Sequence, residues 1–460
     1  MAVSAKTRKD IDMTQGVIWK QLLLFALPLM VGNLFQQLYN TVDSIVVGNF
    51  VGKEALAAVG SVGPIINSLI GFFTGLATGA GVVISQAYGA KNSEKVSRTV
   101  HTTLTLTLLL CLLFTFVGIA MTPMMLRLMS TPEDVFGESA AYLRIYFAGV
   151  SGLMIYNMGA GILRAVGDSR RPLYFLIFSA CTNTVLDLLF VAVLRWGIAG
   201  VAWATVLSQV ISALLIMIVL MRTDGPYRLE LKKLRLEIPI LREVVRVGLP
   251  AAIQQMITSI SNVFVQSYIN MFGSSVMAGW SAYSKIDQFM MLPMMSVSLA
   301  ATTFVGQNRG AGRLDRIKKG ANTAFFMSLT VSLLAMVPLL IFAPPLVGLF
   351  NSEAEVLSYG VLFIRTLSPF YLLCCINQVY ASSLRGLGNT RAPMFIMLGS
   401  FVVFRQIYLF IVSRVYPTVL AVGMGYPAGW MLCSLLIYCY YRYYFKKLWN
   451  QEVLSASGKS

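Results

Sequence analysis

The sequence predicts an all-α polytopic membrane protein of twelve transmembrane helices in two related six-helix halves. Three observations carry this. Of 460 residues, 57% are hydrophobic and only 12% charged, too few charges to cover a water-facing surface. The apolar residues form continuous runs of about 20 or more, without the alternation that a lipid-facing strand needs. The chain also repeats itself at a fixed spacing. A mean hydropathy of +0.72 excludes a disordered or fibrous chain.

Spans are expected at 18–46, 55–86, 99–122, 138–163, 173–194, 198–221, 244–269, 276–307, 321–344, 355–384, 394–413 and 420–441. Residues 1–17 are charged and lack a short apolar core with a small-residue cleavage site, so span 1 is expected to be retained. Pro28 in span 1 and Pro250 in span 7 each remove a backbone hydrogen bond and permit a bend. Gly75, Gly79 and Gly81 lie inside span 2, where they suit close helix packing rather than phosphate binding. No GxxxxGK[ST] loop occurs, which argues against ATP-driven pumping, and the single histidine, His101, at a helix end reads as structural. Cys111, Cys181, Cys374, Cys375, Cys433 and Cys439 all fall in spans without metal-site spacing and read as packing residues.

The net charge of +17 reads as topology, not nucleic-acid binding. The N-terminal segment, every second loop and the C-terminal segment, with adjoining span ends, hold 28 of the 36 lysines and arginines. The intervening loops hold only Lys53, Arg127, Arg195 and Arg414, which places both termini in the cytoplasm.

RAVGDSRRP at 164–172 recurs as RGLGNTRAP at 385–393, and SQAYGA at 85–90 as GQNRGA at 306–311, both 221 residues apart. Arg144 and Arg365 keep the same spacing, and at their depth they are expected to snorkel. Six spans per half insert the two halves in one orientation, related by an axis along the membrane normal with a cavity between them. The domains are therefore 1–221, an amphipathic cytoplasmic linker at 222–243, and 244–460.

Ionisable groups at mid-membrane are costly, roughly 2.5–3.5 kcal/mol each, so they are functional candidates by default. Three acids lie well inside spans: Asp43, Asp187 and Asp287. Asp43, Asp187 and Thr205 share one depth, and Asn183 lies one helical turn before Asp187. Two carboxylates, an amide and a hydroxyl suit a small hard cation such as sodium, or a proton held between carboxylates. The bland alternative is a hydrogen-bonded network that locks spans 1, 5 and 6 together. Asn33, Gln36, Gln37 and Asn40 continue a polar stripe on span 1, answered in span 7 by Gln255, Ser259, Asn262 and Gln266. These stripes read either as a cavity wall or as interhelical hydrogen bonding. Asn157, Asp287, Met290 and Met294 are further substrate-lining candidates, the methionines equally suited to core or lipid-facing positions. Arg405 is the expected counter-charge of Asp287, because Lys285 points to another helical face.

Three segments, LPLMVGNLFQQLYNTVDSIVVG at 27–48, SQAYGAKN at 85–92 and LRAVGDSRRP at 163–172, each echoed in the second half, resemble multidrug and toxic compound extrusion (MATE) transporters of the DinF-like branch. The resemblance implies two six-helix bundles in a V-shaped arrangement that export organic, often cationic, compounds in exchange for protons or sodium. It implies a cation site in the first bundle at Asp43, Asn183, Asp187 and Thr205, a bending proline at Pro28 and a nearby tyrosine at Tyr39. The other main bacterial branch carries acids in spans 7 and 10. Here Gln254 and Gln255 stand in span 7, span 10 has no acid beyond Glu355, and the repeat equivalents of Asn183 and Asp187 are Phe404 and Tyr408. The coupling chemistry is thus expected in one copy.

The expected function is a non-enzymatic secondary antiporter for amphipathic organic compounds, coupled to H+ or Na+ and free of other cofactors, in a bacterial cytoplasmic membrane. The lipid bilayer is its setting, and no nucleic acid or obligate protein partner is expected. The rivals are a flippase for a lipid-linked saccharide, which calls for a strongly basic cavity, and a non-transporting scaffold or receptor, which leaves the buried acids without purpose.

Overall fold

A computed structural model describes residues 11–129 and 131–457, and among them every regular element is helical. The first part holds α1 (Ile18–Val46), α2 (Lys53–Gly89), α3 (Ser93–Leu128), α4 (Glu133–Ala148), α5 (Val150–Ala165), α6 (Arg170–Asp187) and α7 (Gly197–Arg222). The second holds α8 (Ile238–Asn270), α9 (Ser274–Gly310), α10 (Leu314–Ile341), α11 (Ala343–Gly348), α12 (Ala354–Leu367), α13 (Tyr371–Gly386), α14 (Arg391–Leu398), α15 (Arg405–Val415), α16 (Val419–Gly423) and α17 (Gly425–Ser457).

Among the described residues ten helical stretches are long and apolar enough to cross a membrane, and α4 with α5 makes an eleventh, bent by 48°. The remaining helix, α8, has 33 residues, a length of about 50 Å. It falls short of the others in hydropathy because Gln254, Gln255, Ser259, Asn262 and Gln266 lie along it. Its expected place as a span thus rests on length and on its position in the repeat.

The 221-residue repeat reaches into the backbone. Left-handed φ values pair Gly52 (118°) with Gly273 (97°), Lys91 (55°) with Gly312 (69°), and Gly167 (98°) with Gly388 (86°). Each pair closes the same turn in the two halves, so turn geometry was duplicated along with the helices. The breaks correspond too, at Gly149 between α4 and α5 and at the Ser368–Phe370 turn between α12 and α13, where Pro369 stops the helix.

The chain forms two compact units, one of Leu27–Ala252 joined by Ile11 and Asp12, the other of Met13–Ala26 with Ile253 onward. After the change between Asp12 and Met13, the two later changes of unit fall inside a helix, within two residues of Pro28 in α1 and of Pro250 in α8.

In the first unit, α2 and the start of α8 cross with almost no space between their backbones. A Cβ on Gly79 would stand 2.1 Å from the Gly248 Cα, and one on Gly75 would stand 2.4 Å from the Ala252 nitrogen. The span-2 glycines therefore serve helix packing, as expected. At the end of this unit the linker is stapled onto α3. His101 accepts the Glu230 N–H on Nε2 at 3.1 Å while its Nδ1 bonds to the Ser97 carbonyl at 2.7 Å, a structural role. Glu237 pairs with Arg98 and Arg235, and Lys95 meets Glu243 at 2.9 Å. The hydrogen bond from Arg98 holds the Glu237 carboxyl below the usual carboxylate range.

The second unit is built round α9, which packs against α10, α12 and α13 with Trp280, Met294, Phe304, Phe363 and Tyr371 buried. The segment before α1 docks on the turn after α9. Met13 N–H donates to Gln307 at 3.0 Å, and Arg316 reaches the Gln15 carbonyl and Gln21. Arg144 and Arg365 are exposed on their helices, as snorkelling side chains are.

Two outcomes are expected. Gly79→Val forces the α2–α8 crossing apart and lowers the melting temperature of the detergent-purified protein, by about 1–3 kcal/mol or more in stability. Gly63→Ala, with open space around it, leaves that temperature unchanged or slightly raised. For Glu237, a carboxyl lowered on folding contributes stability above its unfolded value of about 4.3 and loses it as pH falls through the folded value. Hydrogen-exchange protection of residues 229–237 should therefore be flat from pH 8 to about pH 5 and fall at lower pH, whereas Glu237→Gln lacks it throughout.

Candidate functional site

Four helices of the first unit bring polar side chains to one place, each by a pair four residues apart and so on one face. α1 supplies Tyr39 and Asp43, α4 Tyr142 and Tyr146, α6 Asn183 and Asp187, and α7 Thr205 and Gln209. The Asp43 and Asp187 carboxyls are close enough to feel one another's charge. Tyr39 lies in the field of both acids and of the two α4 tyrosines. The Tyr142 hydroxyl lies near Thr205 and that of Tyr146 near Gln209, the latter pair without a well-formed hydrogen bond. All four residues expected from the sequence to form the site, Asp43, Asn183, Asp187 and Thr205, belong to this cluster or to its helix faces.

Burial makes the cluster consequential. Asp187 is 0%, Asn183 1% and Thr205 4% exposed. Both Asp187 oxygens, both Asn183 amide atoms and one Asp43 oxygen are buried without a well-formed hydrogen bond. Each such group costs about 1–3 kcal/mol, and more when charged. Thr205 donates its proton to the Val201 carbonyl at 3.1 Å, which leaves its oxygen lone pairs free to accept. The cluster thus holds oxygens with no protein partner. The donors are hard oxygens, suited to a proton or an alkali ion. Among the described residues no group of three or more His, Cys, Asp or Glu side chains could hold a metal.

Both acids stand just before a widening of their helix. α1 passes into a π turn at Val47–Val51 and α6 into one at Leu188–Val193. Such turns concentrate at functional sites.

The other candidates are dispersed. On α1, Asn33, Gln36 and Gln37 are half-buried and Asn40 is exposed, while Asn157 on α5 donates to the Leu153 carbonyl at 2.9 Å. In the second unit Gln255 is exposed, and Met290 and Met294, 8% and 0% exposed, pack into the apolar core. Asp287 lies against the hydroxyls of Tyr283 and Tyr371. The expected pairing of Asp287 with Arg405 is not made. Arg405 donates to Ser261 Oγ and Asn262 Oδ1, both at 2.9 Å, and its guanidinium sits 4.7 Å over the Tyr426 ring. Two neutral oxygens and a π face serve the buried cation in place of an acid. At the repeat equivalents, Tyr408 bonds to the Ala421 carbonyl and Phe404 carries no polar group.

The sequence reading missed Tyr142, Tyr146 and Gln209. Their signal was the four-residue spacing shared with Asn183 and Asp187, at comparable depth in spans 4 and 6.

The chain is similar to known proteins along nearly its whole length. A family profile described as MatE matches the chain twice, over residues 28–189 and 250–411. The probable multidrug resistance protein YoeA of Bacillus subtilis strain 168 is 32% identical over 440 residues, covering 94% of this chain and 95% of that protein. YpnP of the same strain, also named a probable multidrug resistance protein, is 30% identical over 441 residues, with 95% and 97% covered. A structure titled as the outward-facing conformation of a multidrug resistance MATE family transporter of the MOP superfamily superposes with a TM-score of 0.90 at 26% identity, covering 97% of this chain and 100% of that one.

Removing one carboxylate relieves an unsatisfied buried charge. Asp187→Asn is expected to raise the melting temperature in ion-free detergent solution, by about 1–3 kcal/mol. It should also abolish whatever stabilisation sodium, balanced against choline, or falling pH confers on the wild type. An undiminished response in the variant places the ion elsewhere.

Proposed function

Because the chain belongs to the MatE family, whose members are transporters and not enzymes, we propose that it exports amphipathic organic compounds by antiport against H+ or Na+. The observation that carries the ion-coupled reading is the set of buried, unpartnered oxygens on Asp43, Asn183 and Asp187. Export of varied compounds is supported by two relatives named as probable multidrug resistance proteins, which match along nearly their whole length.

The proposed cycle follows from the energetics of the cluster. With no ion bound, two adjoining carboxylates and an amide are desolvated and unpaired, and the arrangement is costly. A proton or sodium ion entering between Asp43 and Asp187, with Asn183 and Thr205 supplying neutral oxygens, removes that cost and draws α1 towards α6 and α7. Tyr142 and Tyr146 line the approach from α4 and orient Thr205 and Gln209. Pro28, about four turns before Asp43 on the same helix, leaves α1 short of a backbone hydrogen bond where the helix passes from one unit to the other. Bending there converts ion binding into a changed helix packing, and the two packings expose the substrate pathway alternately. The excess of basic residues in alternate loops supports cytoplasmic termini in a bacterial plasma membrane.

The test is efflux of a fluorescent organic cation from proteoliposomes under a proton gradient alone and then a sodium gradient alone. One gradient should drive efflux, and Asp43→Asn should abolish the driven component while the protein remains monodisperse. Unimpaired coupled efflux in that variant would sink the assignment. Pro28→Ala should slow turnover without removing ion-dependent stabilisation.

A further inference from the structure

The linker that joins the halves does more than connect them. It is pinned to α3 at two points, by the Glu230 N–H on His101 and by Glu237, which meets Arg98 through its side chain and Thr102 through its backbone N–H at 3.4 Å. Between these points the chain bows away through a short turn at Leu231–Lys233. The bow leaves a cleft of about 300 Å³, lined by Arg98, His101, Lys232, Lys233, Arg235 and Glu237.

Four cations face one carboxylate in this cleft. Glu237 is already shared between Arg98 and Arg235, and Lys233 turns to Glu230 at 2.8 Å. Lys232 is exposed and makes no ion pair among the described residues. The cleft is thus a preformed, net positive pocket with spare donors, which suits a phosphate group. Beside it the same segment exposes Leu231 and Ile238, 59% and 58% accessible. Apolar side chains flanking a basic pocket at the end of a membrane helix are the pattern of an interfacial contact, with the apolar groups at the acyl boundary and the cations at the headgroups.

We propose that this cleft binds the phosphate of an anionic lipid headgroup, with Lys232 and Lys233 as its principal contacts and Leu231 and Ile238 beside the acyl chains. Occupancy joins the strap to α3 and the bilayer surface at once. No acid of the coupling cluster takes part, so the site stands independently of the transport reading.

The test uses the full-length protein, delipidated in detergent and titrated with phosphatidylglycerol, phosphatidylcholine or inorganic phosphate, with retained ligand counted by native mass spectrometry. The expected result is one saturable phosphatidylglycerol site absent with phosphatidylcholine. Its affinity should drop about fivefold per lysine removed, so roughly 25-fold in Lys232→Ala/Lys233→Ala. Lys232→Arg/Lys233→Arg should restore it, and Lys446→Ala/Lys447→Ala, on α17, should not weaken it. Equal binding of the two lipids, or unchanged affinity in the alanine pair, overturns the proposal. Inorganic phosphate binding as tightly as the lipid overturns the lipid source and leaves a soluble phosphate compound as the ligand. Size-exclusion profiles, with the arginine pair, separate loss of the site from loss of the fold.

Discussion

At the centre of a bilayer no water is available, so every polar group must find its partner within the protein. Helices meet this demand for the backbone, and the fold is a set of helices for that reason. The departures from regular helix are few and local: Gly149, the Ser368–Phe370 turn with Pro369, and π turns beginning at Val47, Leu188 and Gly399. The same demand falls on side chains. Thr and Ser residues along the helices mostly return their protons to a carbonyl one turn back, as Thr205, Thr107 and Ser296 do. Other buried polar atoms also lack a partner, on Asp287, Ser298, Ser328 and Asn377 among others; what sets Asp43, Asn183 and Asp187 apart is that two carboxyls and an amide are bare in one cluster.

A site of this kind works only if its walls hold still while one element moves. The first unit supplies the rigid part through backbone contact, with Gly75 and Gly79 of α2 against Ala252 and Gly248 of α8. In the proposed cycle the moving part is α1, whose proline interrupts the hydrogen-bond ladder beside the change of unit at Ala26 and Leu27. Glycine and proline thus play opposite parts here, the one allowing backbones to lock together and the other loosening a helix within itself.

Duplication explains the frame and not the chemistry. The paired left-handed positions and the paired breaks at Gly149 and Phe370 show one design used twice. Yet the positions equivalent to Asn183 and Asp187 hold Phe404 and Tyr408, and the second unit buries an arginine, Arg405, among neutral partners. The turns are alike in both halves, while the charged side chains differ.

Much of this was legible in the sequence. Hydropathy placed the helices, because lipid leaves little choice about what faces it; the repeat motifs placed the halves; and the rarity of acids in spans was enough to mark Asp43 and Asp187. The share of Tyr142, Tyr146 and Gln209 in the cluster was not legible, because tyrosines and glutamines are common in such spans and their role depends on which helix stands opposite. Nor was the partner of Arg405, since charge alone pointed to Asp287 while geometry delivered Ser261, Asn262 and Tyr426. The basic linker residues were visible as charge, but the cleft they line exists only because His101 and Arg98 hold the strap at both ends. The sequence by itself determined the order of the helical stretches, the duplication and the few acids inside them, because these follow from one-dimensional patterns of polarity. Only the tertiary structure decided which polar groups are satisfied and which are left bare, because that depends on neighbours brought together from distant parts of the chain.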